Sequence, residues 1–368
     1  MPSLRHPLSL GRVPSLRILH VDAARDWRGG ERQLLLLAQG LRARGVEPLV
    51  AARPASPLLQ RLKTEGIATA ALNMRSDLDL LAVRRLRRLI ATWRPDVVHA
   101  HDGRSQVLAL GALVGRRGRI PLVVTRRTAA VPRGTVRFGP RVARFIAISE
   151  AVREALRAGG VADPRITVAY PGVAARAPER PRDWRAECGW PAETVVVGIV
   201  GPCAAESGGA RLESLLAAFP PEVARRLGLV ILGGHATGRG AVGEVRSFRA
   251  GFVHDVPHAL AGLDLLLHPG GAEGLGTAVV EAMALGVPSV AFAAGGLAEI
   301  VADGVDGTLV AADDTAGFAT AAARLVTDVE ARHRLGAAAP EQAKRFSPDR
   351  MVGAVLDVYR DVLERFSV

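Results

Sequence analysis

Residues 263–292 read LDLLLHPGGAEGLGTAVVEAMALGVPSVAF. Leu263 to Leu267 is an apolar run of strand length, and Pro288 to Phe292 is another. Between them a glycine-rich turn opens a segment of helical composition, which Gly286 and Pro288 close. Two strands joined through a helix run parallel, so the stretch predicts one unit of a doubly wound α/β sheet.

The same order recurs along the chain. In the first half the predicted strands are Arg17 to Val21, Pro48 to Ala52, Asp96 to Ala100, Leu122 to Thr125 and Arg144 to Ile148. Helical spacing joins them, as in Arg32 to Arg44, where Leu34, Leu37, Ala38 and Leu41 form one stripe. The second half adds Thr194 to Val200, Gly228 to Leu232 and Gly307 to Val310. At 368 residues the chain is about twice the length of a common domain, which two Rossmann-like domains in tandem account for. The expected boundaries are an extension over 1–15, a first domain over 16–173, a linker over 174–193 and a second domain over 194–348. The linker falls where Pro178, Pro181, Pro191 and a cluster of charges break the periodicity. A last helix over 349–368 carries Val352, Val355, Leu356, Tyr359, Leu363 and Phe366 on one face and is expected to pack back on the first domain.

Composition narrows the function. With 49% hydrophobic and 23% charged residues the chain is that of a folded protein with real cores, which excludes disorder as its main state. The formal charge of +12 is uneven: residues 1–172 carry 30 Lys/Arg against 12 Asp/Glu, and the remainder carries 18 against 24. The cationic half suits an anionic partner, either a phosphate-bearing substrate, lipid headgroups or nucleic acid. Nucleic acid ranks last, because no binding motif is present and aromatics are only 4%. Cys188 and Cys203 form no C-x-x-C and read as packing residues in a reducing compartment. The first residues lack the apolar core of a secretory signal, and Ala282 to Ala298, broken by Pro288, falls short of the roughly 20 residues that span a bilayer. A cytoplasmic protein is expected, with any membrane contact peripheral.

Three clusters carry chemistry. Gly29-Gly30 lies at a predicted helix start, where backbone can approach an anion closely. It is not in G-x-G-x-x-G order, which disfavours a nicotinamide cofactor. Asp96 to Gly103 is a buried strand ending in polar residues, with His99 and His101 projecting to the same side. A metal reading of that pair lacks a convincing third ligand, so one His is expected to hydrogen-bond within the structure and the other to face a ligand. In the third cluster seven residues separate Glu273 from Glu281. If Gly274 to Thr277 form a helix entrance, Glu281 lies two turns in.

On these residues the sequence resembles the retaining GT-B glycosyltransferases of family 4, whose hallmark is E-x7-E within E-G-x-G-x-x-x-x-E-A-M-A-x-G-x-P. The likeness runs from about Leu16 onward. It takes in Gly29-Gly30, Val98 to His101, Ala147 to Ser149, Pro171 to Val173, His268-Pro269, Gly295-Gly296 with Glu299, Asp303-Gly304 and Gly307. It implies an α/β GT-B fold of two Rossmann-like domains facing a cleft. It also implies an enzyme that moves a sugar from a nucleotide-diphosphate sugar to a glycan, lipid-linked or phosphorylated acceptor, with retention of configuration. The nucleotide sugar enters as substrate, and no cofactor or metal is implied. Carried over, Glu281 would hold the donor ribose and Glu273 the donor sugar. Gly274, Leu275, Gly276 and Thr277 would meet the diphosphate, and Phe252, Val253 and His254 would line the base. His101 would reach the sugar from the first domain, and Gly29 and Gly30 would form a cleft loop. The family range suggests cell-envelope polysaccharide or lipopolysaccharide assembly, in the cytoplasm or on the inner face of the cytoplasmic membrane.

The first domain usually selects the acceptor in such enzymes, and it carries the arginines. Arg84, Arg85, Arg87 and Arg88 lie on a helix whose Leu80, Leu81, Leu86, Leu89 and Ile90 are expected to pack inward. Further arginines, among them Arg116, Arg126, Arg133 and Arg141, flank the fourth predicted strand. One departure stands out. Where the family places an Arg, and a Lys five residues later, to neutralise the donor diphosphate, this chain has Pro202 and Ser207. Fixed cations there stabilise charge on the leaving group. Either Arg211 substitutes for a missing cation, or the protein is an impaired GT-B binding or scaffold subunit. A third reading is another sugar-nucleotide enzyme on the fold, such as an epimerase.

Overall fold

The computed structural model describes residues 15–115, 120–131, 135–174, 177–201, 209–271 and 273–366. Seven strands form a first sheet: β1 Arg17–Val21, β2 Glu47–Ala52, β3 Ala68–Ala71, β4 Val97–Ala100, β5 Leu122–Arg126, β6 Val142–Ala147 and β7 Ile166–Val168. Their order is β3-β2-β1-β4-β5-β6-β7. A second sheet has β8 Val195–Val200, β9 Leu227–Leu232, β10 Thr237–Val242, β11 Val245–Gly251, β12 Leu265–His268, β13 Ser289–Phe292 and β14 Thr308–Val310. Its order is β10-β11-β9-β8-β12-β13-β14, parallel except for the edge pair β10–β11.

Every predicted strand is present to within a few residues, because parallel strands buried on both faces read as continuous apolar runs. VVVGIV of β8 and LGLVIL of β9 are of this kind. Four observed strands were not predicted. β3 is ATAA, β7 is three residues long, and β10, TGRGAV, is an exposed edge with two glycines. β11, VRSFRAG, carries two arginines that mask its strand character.

The chain divides into two compact units. The first holds residues up to Thr125, Gly139–Phe145 and Val355 to the end; the second holds Arg126–Phe138 and Ile146–Ala354. In the first, the helix Gly29–Ala43 buries Leu34, Leu37, Ala38 and Leu41, and Leu34 and Ala38 join Val50, Leu58 and Leu62 in one cluster. It begins three residues before the predicted Arg32, its first turn closed by Glu31, which accepts from the Arg28 amide at 2.7 Å. In the second, Val197, Ile199, Leu229, Ile231 and Leu265 pack with Phe292 and Phe318, whose rings lie 4.7 Å apart. Each such side chain contributes about 1.5–3 kcal/mol by leaving water.

Two helical expectations are corrected. The helix Leu80–Trp93 buries only Ala82, Leu86 and Ile90, while Leu80 and Leu81 are 74% and 59% exposed. Its contact stripe is narrow, so leucines at its first turn face away from the core. The helix Pro348–Phe366 buries Val352, Val355, Val358, Tyr359 and Val362, whereas Phe366 in its last turn is exposed. Within 174–193 a short helix, Trp184–Cys188, is present, and the buried Trp184 indole donates to the Ala259 carbonyl at 2.9 Å. Among the described residues no helix is long and apolar enough to cross a membrane.

Candidate active site

In a doubly wound sheet, ligands bind beyond the carboxyl ends of the strands where strand order reverses. The first sheet reverses between β1 and β4, and the second between β8 and β12. His20 on β1 and His99 on β4 flank the first, and His268 ends β12 at the second.

At the first, parallel pairing of β1 with β4 sets His20 opposite His99, with His101 just past the strand end. All three are buried. His20 Nδ1 lies 3.0 Å from His101 Nε2. His99 is held at both ring nitrogens, with Nδ1 2.6 Å from the Tyr359 hydroxyl and Nε2 2.7 Å from Thr125 Oγ1. Burial pushes the His20 imidazole down to about 3 and the Tyr359 phenol well above its usual range, so both are neutral at pH 7. The three rings bring nitrogens within 4.8 Å of one another, a spacing that metal ligands also show. Both nitrogens of His99 are engaged by Tyr359 and Thr125, while His20 Nδ1 faces His101 Nε2. Of the two histidines singled out in the sequence, His99 takes the structural part. His20 was missed: nothing in ILHV marks it, and only strand pairing brings it to the site.

Asp102, next along, caps the helix Gly103–Ala112 through the Arg104 and Ser105 amides at 2.8 and 2.9 Å. Its other oxygen accepts from the Ala23 amide at 2.7 Å, tying down the loop after β1. Gly29 and Gly30 are the first two residues of the following helix rather than a turn before it.

At the second reversal, backbone turns through glycines at the carboxyl ends of neighbouring strands. Gly201, Gly233 and Gly251 follow or end β8, β9 and β11, with φ of 101°, 123° and 62°. The Gly201 amide donates to Leu232, and the Gly233 amide to Gly251. Phe252 stands 53% exposed past β11, its ring edge-on to His254 at 4.9 Å, with Val253 between. His268 ends β12, and its Nε2 lies 3.2 Å from Glu273 Oε1, off the ideal hydrogen-bond direction. Burial alone would raise the Glu273 carboxyl, but the His268 contact outweighs it and holds the group below its ordinary value. Glu273 is therefore an anion at neutral pH.

Gly274 and Gly276 are required by close packing. A Cβ on Gly274 would come within 2.0 Å of the Arg127 carbonyl oxygen, and one on Gly276, at φ 88°, within 2.5 Å of Leu297. Gly276 starts the helix Thr277–Ala284, which no side chain caps. The buried Glu281 lies just over one turn in, not two, because the helix starts at Thr277. Leu275 is buried beside this entrance. Ser149 Oγ donates to the Gly274 carbonyl at 2.5 Å, and the Gly296 amide to Glu273 at 3.1 Å. Glu299 accepts from the Glu150 and Ala151 amides at 2.8 and 2.7 Å and from the Tyr170 hydroxyl at 3.0 Å. Burial, with the Glu299 charge, pushes Tyr170 up to about 12.

Thus Glu273 to Thr277, Glu281 and Phe252 to His254 belong to the second sheet's carboxyl edge, while His101, Gly29 and Gly30 belong to the first sheet. Pro202, Cys203 and Ser207 lie outside the described residues, and Arg211 falls in the helix Gly209–Ala217 with its side chain outside them.

Comparison with known proteins agrees with this architecture. Residues 27–176 match the family model described as Glycosyltransferase Family 4, and residues 194–328 the one described as Glycosyl transferases group 1. The chain is 30% identical to the 2-deoxystreptamine N-acetyl-D-glucosaminyltransferase of Streptomyces fradiae, over 92% of each chain. It is 34% identical to a D-inositol 3-phosphate glycosyltransferase of Stackebrandtia nassauensis over 56% of this chain, spanning about half (51%) of that relative. Among solved structures it resembles Anabaena HepE in complex with UDP, with a TM-score of 0.78 and 22% identity over 94% of this chain and 100% of that one. A glycosyltransferase from Rickettsia africae gives a TM-score of 0.80 at 17% identity over 95% and 99% of the two chains. The fold is the α/β GT-B fold of two Rossmann-like domains. The chain belongs to the glycosyltransferases of family 4, an enzyme family.

Proposed function

We propose that the protein transfers a sugar from a UDP-sugar to a polar, phosphorylated or lipid-linked acceptor, with retention of configuration. Residues 194–348 take the donor and residues 16–173 the acceptor. The observation that carries the reading is the second sheet's carboxyl edge. There an ionised Glu273, the glycine entrance Gly274 to Thr277 and a buried Glu281 follow β12, and the exposed Phe252–His254 pair follows β11 on the same edge, with β9 and β8 between. Uncapped first-turn amides suit a diphosphate, a buried carboxylate suits ribose hydroxyls, and an exposed aromatic suits a base. UDP and UDP-glucose are the ligands named for the HepE structures, which supports uridine as the base. Glu273 and His101 take the donor sugar, as the family resemblance assigns them. The nucleotide sugar is substrate, and the reading needs no cofactor.

Two observations bear on the acceptor. Relatives are named for inositol 3-phosphate and 2-deoxystreptamine, both small polar rings, and the first half of this chain is rich in arginine. A phosphorylated acceptor fits that charge, and cell-envelope polysaccharide or lipopolysaccharide synthesis remains the proposed setting. The helix Leu80–Trp93 supports contact with an anionic bilayer. Its outer face sets exposed Leu80 and Leu81 beside exposed Arg84, Arg85, Arg87 and Arg88. The proposed location is the cytoplasm, peripheral to the inner face of the membrane.

The second reading, a binding subunit without turnover, rests on Pro202 and Ser207 standing where the family has cations. Release of UDP from a panel of UDP-sugars, with and without acceptors, separates the two. Turnover supports the transferase, and tight UDP binding with no transfer or donor hydrolysis supports the binding subunit.

A further inference from the structure

His20 has no part in the roles assigned above, yet it is fully buried at the strand reversal and touches His101, to which a sugar-binding role is assigned. Its Nδ1 lies 3.0 Å from His101 Nε2, so a single proton lies between the two nitrogens. His20 Nε2 is buried and, among the described residues, has no hydrogen-bond partner.

The geometry allows two arrangements. If His101 Nε2 carried the shared proton, a neutral His20 would hold its own proton on Nε2, leaving a buried N–H with no acceptor. If His20 Nδ1 carries it, Nε2 is a bare lone pair and no donor is stranded. Orphaned buried N–H groups are rarer in folded proteins than under-used acceptors, which selects the second arrangement. A doubly protonated His20 would satisfy neither count, and burial excludes it at neutral pH. His101 Nε2 is then an acceptor, and the neutral ring carries its proton on Nδ1.

We infer that His20 is a positioning residue that fixes His101 as its Nδ1–H tautomer, so that His101 meets the transferred sugar as a hydrogen-bond donor and not as a base. The sugar contact rests on the transferase reading; the tautomer does not. His99 stands apart from this relay, because its own nitrogens are taken by Tyr359 and Thr125.

The test reads tautomers directly, by long-range proton–nitrogen correlation on the full-length protein labelled with 15N-histidine. The expected spectrum has His101 protonated at Nδ1 with an unprotonated, hydrogen-bonded Nε2, and His20 protonated at Nδ1. A His101 proton on Nε2 overturns the inference, whatever the protein's activity. Two variants extend the test. His20→Asn keeps an N–H donor near the position of Nδ1, whereas His20→Leu removes it. Asn is expected to preserve the His101 tautomer and kcat, while Leu loses the Nδ1–H preference and lowers kcat about 10-fold with UDP affinity unchanged. Equal loss in both variants, or an unchanged tautomer in His20→Leu, also overturns it. If the wild-type protein shows no transfer, the transferase reading fails and the spectrum still decides the tautomer.

Discussion

The Tyr359 hydroxyl lies 2.6 Å from His99 Nδ1, joining residues 260 positions apart, both with no exposed surface. Thr125 holds the other nitrogen of the same ring, so one imidazole links β4, β5 and the last helix inside the first unit. In Tyr359→Phe the His99 nitrogen loses its partner without loss of ring packing. The expected cost is about 1–3 kcal/mol. Calorimetric unfolding should show the loss as a Tm lowered by about 2–4 °C per kcal/mol. An unchanged Tm would mean the hydroxyl contributes nothing net.

The contact between His268 and Glu273 has a pH signature. Glu273 is held below the ordinary carboxylate range because His268 outweighs burial, so its charge is lost only as pH falls through that depressed value. In His268→Leu burial acts unopposed, the carboxyl rises, and the acid limb of the pH–rate profile moves to higher pH. His268→Gln, which retains a donor, should move it less. Coincident acid limbs in wild type and His268→Leu would remove Glu273 from that limb.

Most of the framework was legible because buried parallel strands are apolar without interruption, as in β8 and β9. What escaped was set by neighbours. β11, VRSFRAG, shows no regular apolar alternation, and it is a strand because it pairs with β9 and β10. Leu80 and Leu81 fit a helical period but precede the stripe Ala82, Leu86 and Ile90 that touches the core. The Glu273 to Glu281 segment was readable in one piece because loop and helix entrance are contiguous. His20 was not, since its meaning comes from a residue 81 positions away.

Gly274 tests how tightly the loop before Thr277 is built. Alanine there would place a methyl group 2.0 Å from the Arg127 carbonyl oxygen, with Ile148 behind it, so the backbone itself must shift. Overpacking of this kind costs about 1–3 kcal/mol. Gly274→Ala should weaken UDP binding about 10-fold through displaced loop amides, a fall of about 1.4 kcal/mol. Wild-type affinity in that variant would place the nucleotide elsewhere.

The outer face of Leu80–Trp93 predicts a salt-sensitive membrane association. Sedimentation with vesicles rich in anionic lipid should recover the protein at low salt and release it as salt screens the arginines. The double variant Arg84→Glu/Arg88→Glu should abolish recovery, and Leu80→Ser/Leu81→Ser should weaken it. Equal recovery on neutral vesicles would contradict the electrostatic account.

In the proposed function the carboxyl edge of the second sheet holds a nucleotide sugar, with the buried Glu281 on the ribose. Titration calorimetry with UDP and UDP-sugars, on wild type and on Glu281→Gln, tests it most directly. Wild type should bind, and binding should be weakened about 10- to 100-fold in Glu281→Gln as a charge-assisted hydrogen bond is lost. Absence of binding of UDP and every UDP-sugar to wild type, or equal binding by the folded variant, overturns it.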